Sequence, residues 1–189
     1  MPLKLITSIL FGFFTFSAMG QIKYGVTGGV NRSTIVTNDI PNYYITGFDV
    51  GVTSELSISD HFYLSPQLLY MTRGQATSES SIIRLQYLSL PLLAGYKINH
   101  HFEVLAGPTF GYLLSVYPSI FKGLIRSSDL GICGTIRYRI NSRSGIDLSY
   151  LYSLFGVYEH YHVVDMQTYV LPEKANNQSF QISFFYLFR

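Results

Sequence analysis

The sequence has no tryptophan, one cysteine and few charges, and each shortage removes a class of protein. Without tryptophan, the glycine-and-tryptophan opening of soluble lipocalin-type calyces is missing. Cys133 stands alone, so no internal disulfide can form, and no histidine or acid is recognisably placed around it for catalysis. A lone thiol of this kind reads as a small buried filler. Charged residues are 13% of the chain and the net charge is +2, which excludes the basic patch of a nucleic-acid binder. Alanine is scarce, and beyond residue 20 no apolar run reaches the roughly 20 residues of a membrane-spanning helix. Yet 48% of the residues are hydrophobic, with tyrosine, phenylalanine, glycine, serine and threonine abundant. These are strand and turn formers. An apolar chain without spanning helices must cover its greasy surface in another way.

The N-terminus has the grammar of an export signal. Lys4 is the only charge among residues 1–20, an apolar run follows from Leu5 to Phe16, and Ala18 and Gly20 are the small residues a signal peptidase reads. The expected signal peptide is 1–20, with cleavage before Gln21 and a single barrel domain over 21–189. No cysteine stands at the cleavage site, so no lipid anchor is expected there.

Period-two alternation recurs through the rest of the chain and marks strands with two unlike faces. Eight segments show it: about Ile22–Asn31, Ile45–Ile58, Phe62–Arg73, Ile83–Ile98, Phe102–Leu114, Asp129–Ile140, Gly145–Phe155 and Asn177–Phe188. Ser59-Asp60-His61, Asn99-His100-His101 and Ser142-Arg143-Ser144 are tight polar links. The intervening links are long: Arg32–Tyr44, Gly74–Ile82, Ser115–Ser128 and Gly156–Asn176. Short turns at one rim and long loops at the other are the habit of bacterial outer-membrane barrels, with turns in the periplasm.

Charge separates cleanly between the two faces. One face gives a set of residues, among them Val50, Val52, Leu88, Leu90, Leu148 and Ile182, in which no charged residue appears. The other holds Lys23, Asp49, Glu55, Arg73, Lys97, Glu103, Asp129, Arg137, Arg139 and Asp147 among small and hydroxyl residues. Arg or Lys facing lipid near the midplane costs about 2–4 kcal/mol, so the charge-free face is the outer one. A soluble calyx needs the reverse sense. The expected fold is therefore all-β, an eight-stranded antiparallel up-and-down transmembrane β-barrel.

Several short stretches resemble one family. Tyr24-Gly25-Val26 leading to Gly29 and Asn31, Pro66-Gln67-Leu68-Leu69-Tyr70 and Tyr87-Leu88-Ser89-Leu90-Pro91-Leu92 are similar to the PorT-type outer-membrane β-barrel family of Bacteroidota. Ala106-Gly107-Pro108 and Asp129 with Gly131 look like its later strands. The resemblance implies an outer-membrane barrel inserted by the barrel-assembly machinery, and its founding member is linked to type IX secretion. Such barrels commonly end on an aromatic residue, whereas here Arg189 follows Phe188.

Candidate sites are few. An eight-stranded barrel is only wide enough for side chains to fill, so an interior closed by ion pairs is expected. Pairing about His100 sets Lys97 opposite Glu103, pairing about Arg143 sets Arg139 opposite Asp147, and Lys23 and Glu55 come from neighbouring strands near the same rim. Gly28-Gly29 lacks the strand-turn-helix setting of a nucleotide loop and reads as a place of close packing or curvature. Glu159, His160, His162 and Asp165 have ligand chemistry but do not define a metal geometry, and no cofactor is expected. Tyr158, Tyr161 and Tyr169 in the same long link suit partner contact. His61, His100 and His101 read as solvated turn residues, and no nucleophile–base–acid set is identifiable. The expected function is a structural or interaction protein working through extracellular loops, in contact with outer-membrane lipid and an envelope protein. The alternatives are an accessory subunit of an envelope assembly such as type IX secretion, and a small barrel enzyme acting on lipid or peptide.

Overall fold

A computed structural model describes residues 22–36, 43–78, 81–119, 125–157 and 175–188. The eight expected strands are β1 (Ile22–Val36), β2 (Tyr43–Ser57), β3 (Phe62–Ser78), β4 (Ser81–Lys97), β5 (Phe102–Tyr117), β6 (Ser128–Arg139), β7 (Ser144–Ser153) and β8 (Asn176–Leu187). Each pairs antiparallel with its sequence neighbours, and β1 pairs with β8 to close the barrel. Closure leaves no sheet edge, which is what a strand-built membrane span requires.

The outer surface is the apolar face. Val50, Val52, Leu90, Leu148, Ile182 and Phe184 are all exposed, while Asp49, Glu55, Glu103, Arg137 and Asp147 on the alternate positions are buried. Side chains in a strand point alternately to opposite faces, so one parity faces lipid and the other the lumen. Aromatic rings cluster at the turn rim, where Phe62 packs on Tyr96 at 4.9 Å and Phe102 on Tyr138 at 5.2 Å between centroids.

The pairing is oblique. The row that begins at Lys97 runs through Glu103, Arg137, Asp147, Ser183, Gly29, Asp49 and Met71, and returns to β4 at Tyr87. That offset (Lys97 to Tyr87) is ten residues along one strand. Strand tilt and stagger are linked in any closed barrel, and here the stagger lines up charges that are far apart in sequence.

Two expectations about the links need correction. Gly74–Ile82 is not a long loop: β3 and β4 stay paired out to Ser78 and Ser81. Gly74 has a φ of +150°, which a side chain would rarely adopt, and the following polar residues carry no two-faced pattern to reveal the strand. The third tight turn is also one residue earlier than expected, at Asn141-Ser142-Arg143. Asn141 Oδ1 accepts from the backbone N–H groups of Arg143 and Ser144 at 2.9 Å each. Asn99 makes the same pair of bonds to His101 and Phe102 at 2.8 Å, and Ser59 Oγ accepts from Phe62 N–H at 3.1 Å. A side-chain acceptor thus opens all three turns, as short Asn and Ser side chains commonly do.

Of the glycine pair in β1, only Gly29 is sterically required. A Cβ there would meet Ile182 O and the Ser183 backbone, whereas at Gly28 it would find only ordinary contacts.

Candidate functional site: an internal charge network

The lumen nearest the tight turns is filled by one connected ionic network. Arg137 on β6 donates from Nε and Nη2 to Asp147 Oδ1 and Oδ2 at 2.7 and 2.8 Å. Its Nη1 donates to Glu55 Oε1 on β2 at 2.6 Å. Arg139 forks onto Glu103 at 2.9 and 2.8 Å and also reaches Glu55 Oε1 at 2.8 Å. Tyr63 donates its hydroxyl to Glu103 Oε2 at 2.6 Å. Bidentate guanidinium–carboxylate pairs are the strong, geometrically specific form of ion pair. Arg137 is fully buried, so each of its donors needs such a partner.

The pairing differs from that expected. Lys97 is opposite Glu103 in register, but its Nζ donates to Asp60 O at 3.2 Å and lies 5.8 Å from the Tyr63 ring centre. Glu103 is taken by Arg139 instead. Arg139 is opposite Gly145, not Asp147, because the turn begins at Asn141. Asp147 is opposite Arg137 and bonds to it. Lys23 is opposite Glu55, yet no ion pair within 4.0 Å joins them, and Glu55 serves the two arginines. Both lysines line an open vestibule of about 680 Å³ at the turn rim, over Glu55, Glu103 and Arg139.

Two inward aromatics complete the layer and were not anticipated. Phe185 lies under both guanidinium groups, 4.1 Å from Arg137 Cζ and 5.5 Å from Arg139 Cζ. Each ring fills the place of a missing side chain. A Cβ on Gly145 would sit 2.7 Å from Phe185 Cε1, and one on Gly95 would strike the Tyr63 ring. The readable signal was an inward glycine paired across strands with an inward ring.

Toward the long loops the lumen changes character. Arg73 Nη1 bonds Asp129 Oδ2 at 3.1 Å, and its guanidinium stacks 4.6 Å from the Tyr87 ring centre. Beyond this pair Ile35, Met71, Ile83, Leu85, Val116, Ile125 and Val157 form an apolar layer. The expectation of charges set mostly among glycines and hydroxyl residues did not include this plug. Its signal lay in β4, where Ile83, Leu85 and Tyr87 are apolar on the parity that faces inward. Cys133 is buried between the two layers beside Leu93 and Leu105.

With an ionic layer and an apolar layer in series, planar-bilayer recordings are expected to show no large, steady conductance. A porin-like current would contradict the packed lumen.

Among the described residues no cluster of three or more His, Cys, Asp or Glu side chains is placed to hold a metal. Glu159, His160, His162 and Asp165, with Tyr158, Tyr161 and Tyr169, lie outside the described residues.

A closed barrel with a lipid-facing apolar wall and a polar, side-chain-filled core defines the class of small outer-membrane β-barrels. The chain belongs to the family described as outer membrane protein beta-barrel domain, whose profile matches residues 15–159. It is an outer-membrane protein. Its fold is similar to that of Ail, the attachment invasion locus protein of Yersinia pestis, at 15% identity and a TM-score of 0.54, covering 88% of this chain and 98% of that one. Neisserial surface protein A is similar at 11% identity and a TM-score of 0.53, covering 86% and 96%. No sequence among the curated proteins matches the chain.

Proposed function

We propose that this protein is a structural or interaction component of the outer membrane that contacts an envelope partner through its long loops. The buried side chains that meet across the lumen among the described residues are the observation that carries the reading: a filled barrel has its working surfaces at the rims. In this reading residues 1–20 are a signal peptide removed before Gln21, and the barrel-assembly machinery inserts the chain. We assign it to the PorT-type group of Bacteroidota barrels. Long loops on a rigid scaffold are where contact residues concentrate, and Tyr158, Tyr161 and Tyr169 would supply amphipathic contact area. A second reading, an accessory subunit of an assembly such as type IX secretion, draws on the charged vestibule at the turn rim.

The test is an epitope tag at Lys174, probed on intact cells. Antibody should reach it without breaking the envelope, and crosslinking through Tyr161 should trap a partner that a 158–174 deletion loses. Accessibility only after lysis would invert the topology and end the reading.

A further inference from the structure

The lumenal arginines are committed to particular acids, and one buried acid receives none of them. Asp49 on β2 is 2% exposed. Its Oδ2 accepts from Ser183 Oγ at 2.8 Å, while Oδ1 has no partner. None of the ion pairs among the described residues includes it. Arg137 is spent on Asp147 and Glu55. Arg73 reaches across the lumen to Asp129, with Nη2 beside Gly111 on β5. Lys23 sits six positions along β1 from Gly29, the register partner of Asp49, which is about 20 Å of strand.

The imbalance is local to Asp49. The lumen and its vestibule hold the carboxylates of Asp49, Glu55, Glu103, Asp129 and Asp147 and the cations of Lys23, Arg73, Lys97, Arg137 and Arg139, equal in number, but none of these cations is paired with Asp49. Lys23 and Lys97 line the vestibule with Glu55 and Glu103, and Asp49 is not among its lining residues. Unpaired charge in such a place is costly, and a bound cation is one of its few remedies.

The neighbourhood of Asp49 offers oxygen donors. Asn31 is 2% exposed, and neither of its amide atoms has a hydrogen-bond partner. It lies one inward step from Gly29 on β1, opposite Gly47, where a Cβ would come 2.8 Å from Asn31 Oδ1. At Gly29 a Cβ would come 2.5 Å from Ser183 Oγ. Two glycines thus clear the space into which the Asn31 and Ser183 side chains lean.

We propose that Asp49 Oδ1 and Asn31 Oδ1 anchor a divalent hard cation of the Ca²⁺ type inside the barrel, with Ser183 fixing the carboxylate. Two protein oxygens completed by water suit Ca²⁺, which accepts irregular oxygen sets, better than Mg²⁺, which demands a near-ideal octahedron.

The mature barrel, refolded in detergent after chelation and kept in choline chloride, is heated with and without Ca²⁺. Loss of the compact electrophoretic form is the readout. Saturating Ca²⁺ should raise the transition by about 5–10 °C. Asp49→Asn and Asn31→Leu should each remove most of that shift, and Asn31→Leu decides alone if Asp49→Asn fails to refold. A Glu159→Gln/Asp165→Asn variant should keep it. No shift in the unaltered protein, an equal shift with Na⁺, persistence in the interior variants, or loss only in the loop variant would each overturn the proposal.

Discussion

Replacing Arg137 by methionine should destabilise the folded barrel by about 3–5 kcal/mol, the largest effect expected from any single lumenal change. The reason is what stays behind. Asp147 loses both of its bonds from Arg137, and Glu55 keeps only Arg139. Phe185, which the guanidinium covers at 4.1 Å, loses a cation–π contact as well. Urea titration in lipid vesicles would measure the change, followed by circular dichroism because the chain has no tryptophan. The companion variant Arg137→Met/Asp147→Leu/Glu55→Met should be less destabilised than Arg137→Met alone, since buried ion pairs are often replaceable by well-packed apolar groups. A single-variant cost below about 1 kcal/mol would mean that these groups behave as water-screened surface pairs.

Leu148→Arg should cost about 2–4 kcal/mol in vesicles, while Ile140→Arg, beside the tight turn, should cost only about 0–1 kcal/mol. Both side chains are exposed, Leu148 in mid-strand and Ile140 one residue beyond the end of β6. In a soluble protein, neither arginine would meet any penalty for leaving water. The contrast between the two positions is the measurement, because it separates depth in a bilayer from general disturbance. Equal costs would contradict a lipid-facing wall.

The fold was legible because a membrane imposes one rule on every strand. Charge is expelled from one parity except at the loop ends of β1 and β4, where Arg32 and Arg84 stand on it, so Leu88 and Leu90, or Ile182 and Phe184, declare their face without knowledge of neighbours. The lumen obeys no such local rule. Which acid meets which arginine depends on stagger around the whole barrel, and a turn misplaced from Asn141 to Ser142 was enough to pair Arg139 with the wrong residue. The resemblance between Asn99 and Asn141 was there to be read. Glu55 and Arg137, 82 residues apart, had no sequence signal linking them. The apolar plug escaped for another reason: near the long loops the inward parity of β4 turns apolar at Ile83, Leu85 and Tyr87 while the outward parity carries Arg84 and Gln86, the reverse of the rule that sorts the rest of the strand.

Glu55 reaches from β2 to both Arg137 and Arg139 on β6, across the lumen rather than along the sheet. Bonds of that kind cannot exist in an open ribbon, and form only after β1 has met β8. A seam joined two residues out of step would move the opposing walls by about 7 Å relative to one another, far beyond the reach of a 2.6–2.8 Å contact. Glu55 therefore works as a proofreader of closure. It rewards the one way of zipping the cylinder in which every strand has found its proper height.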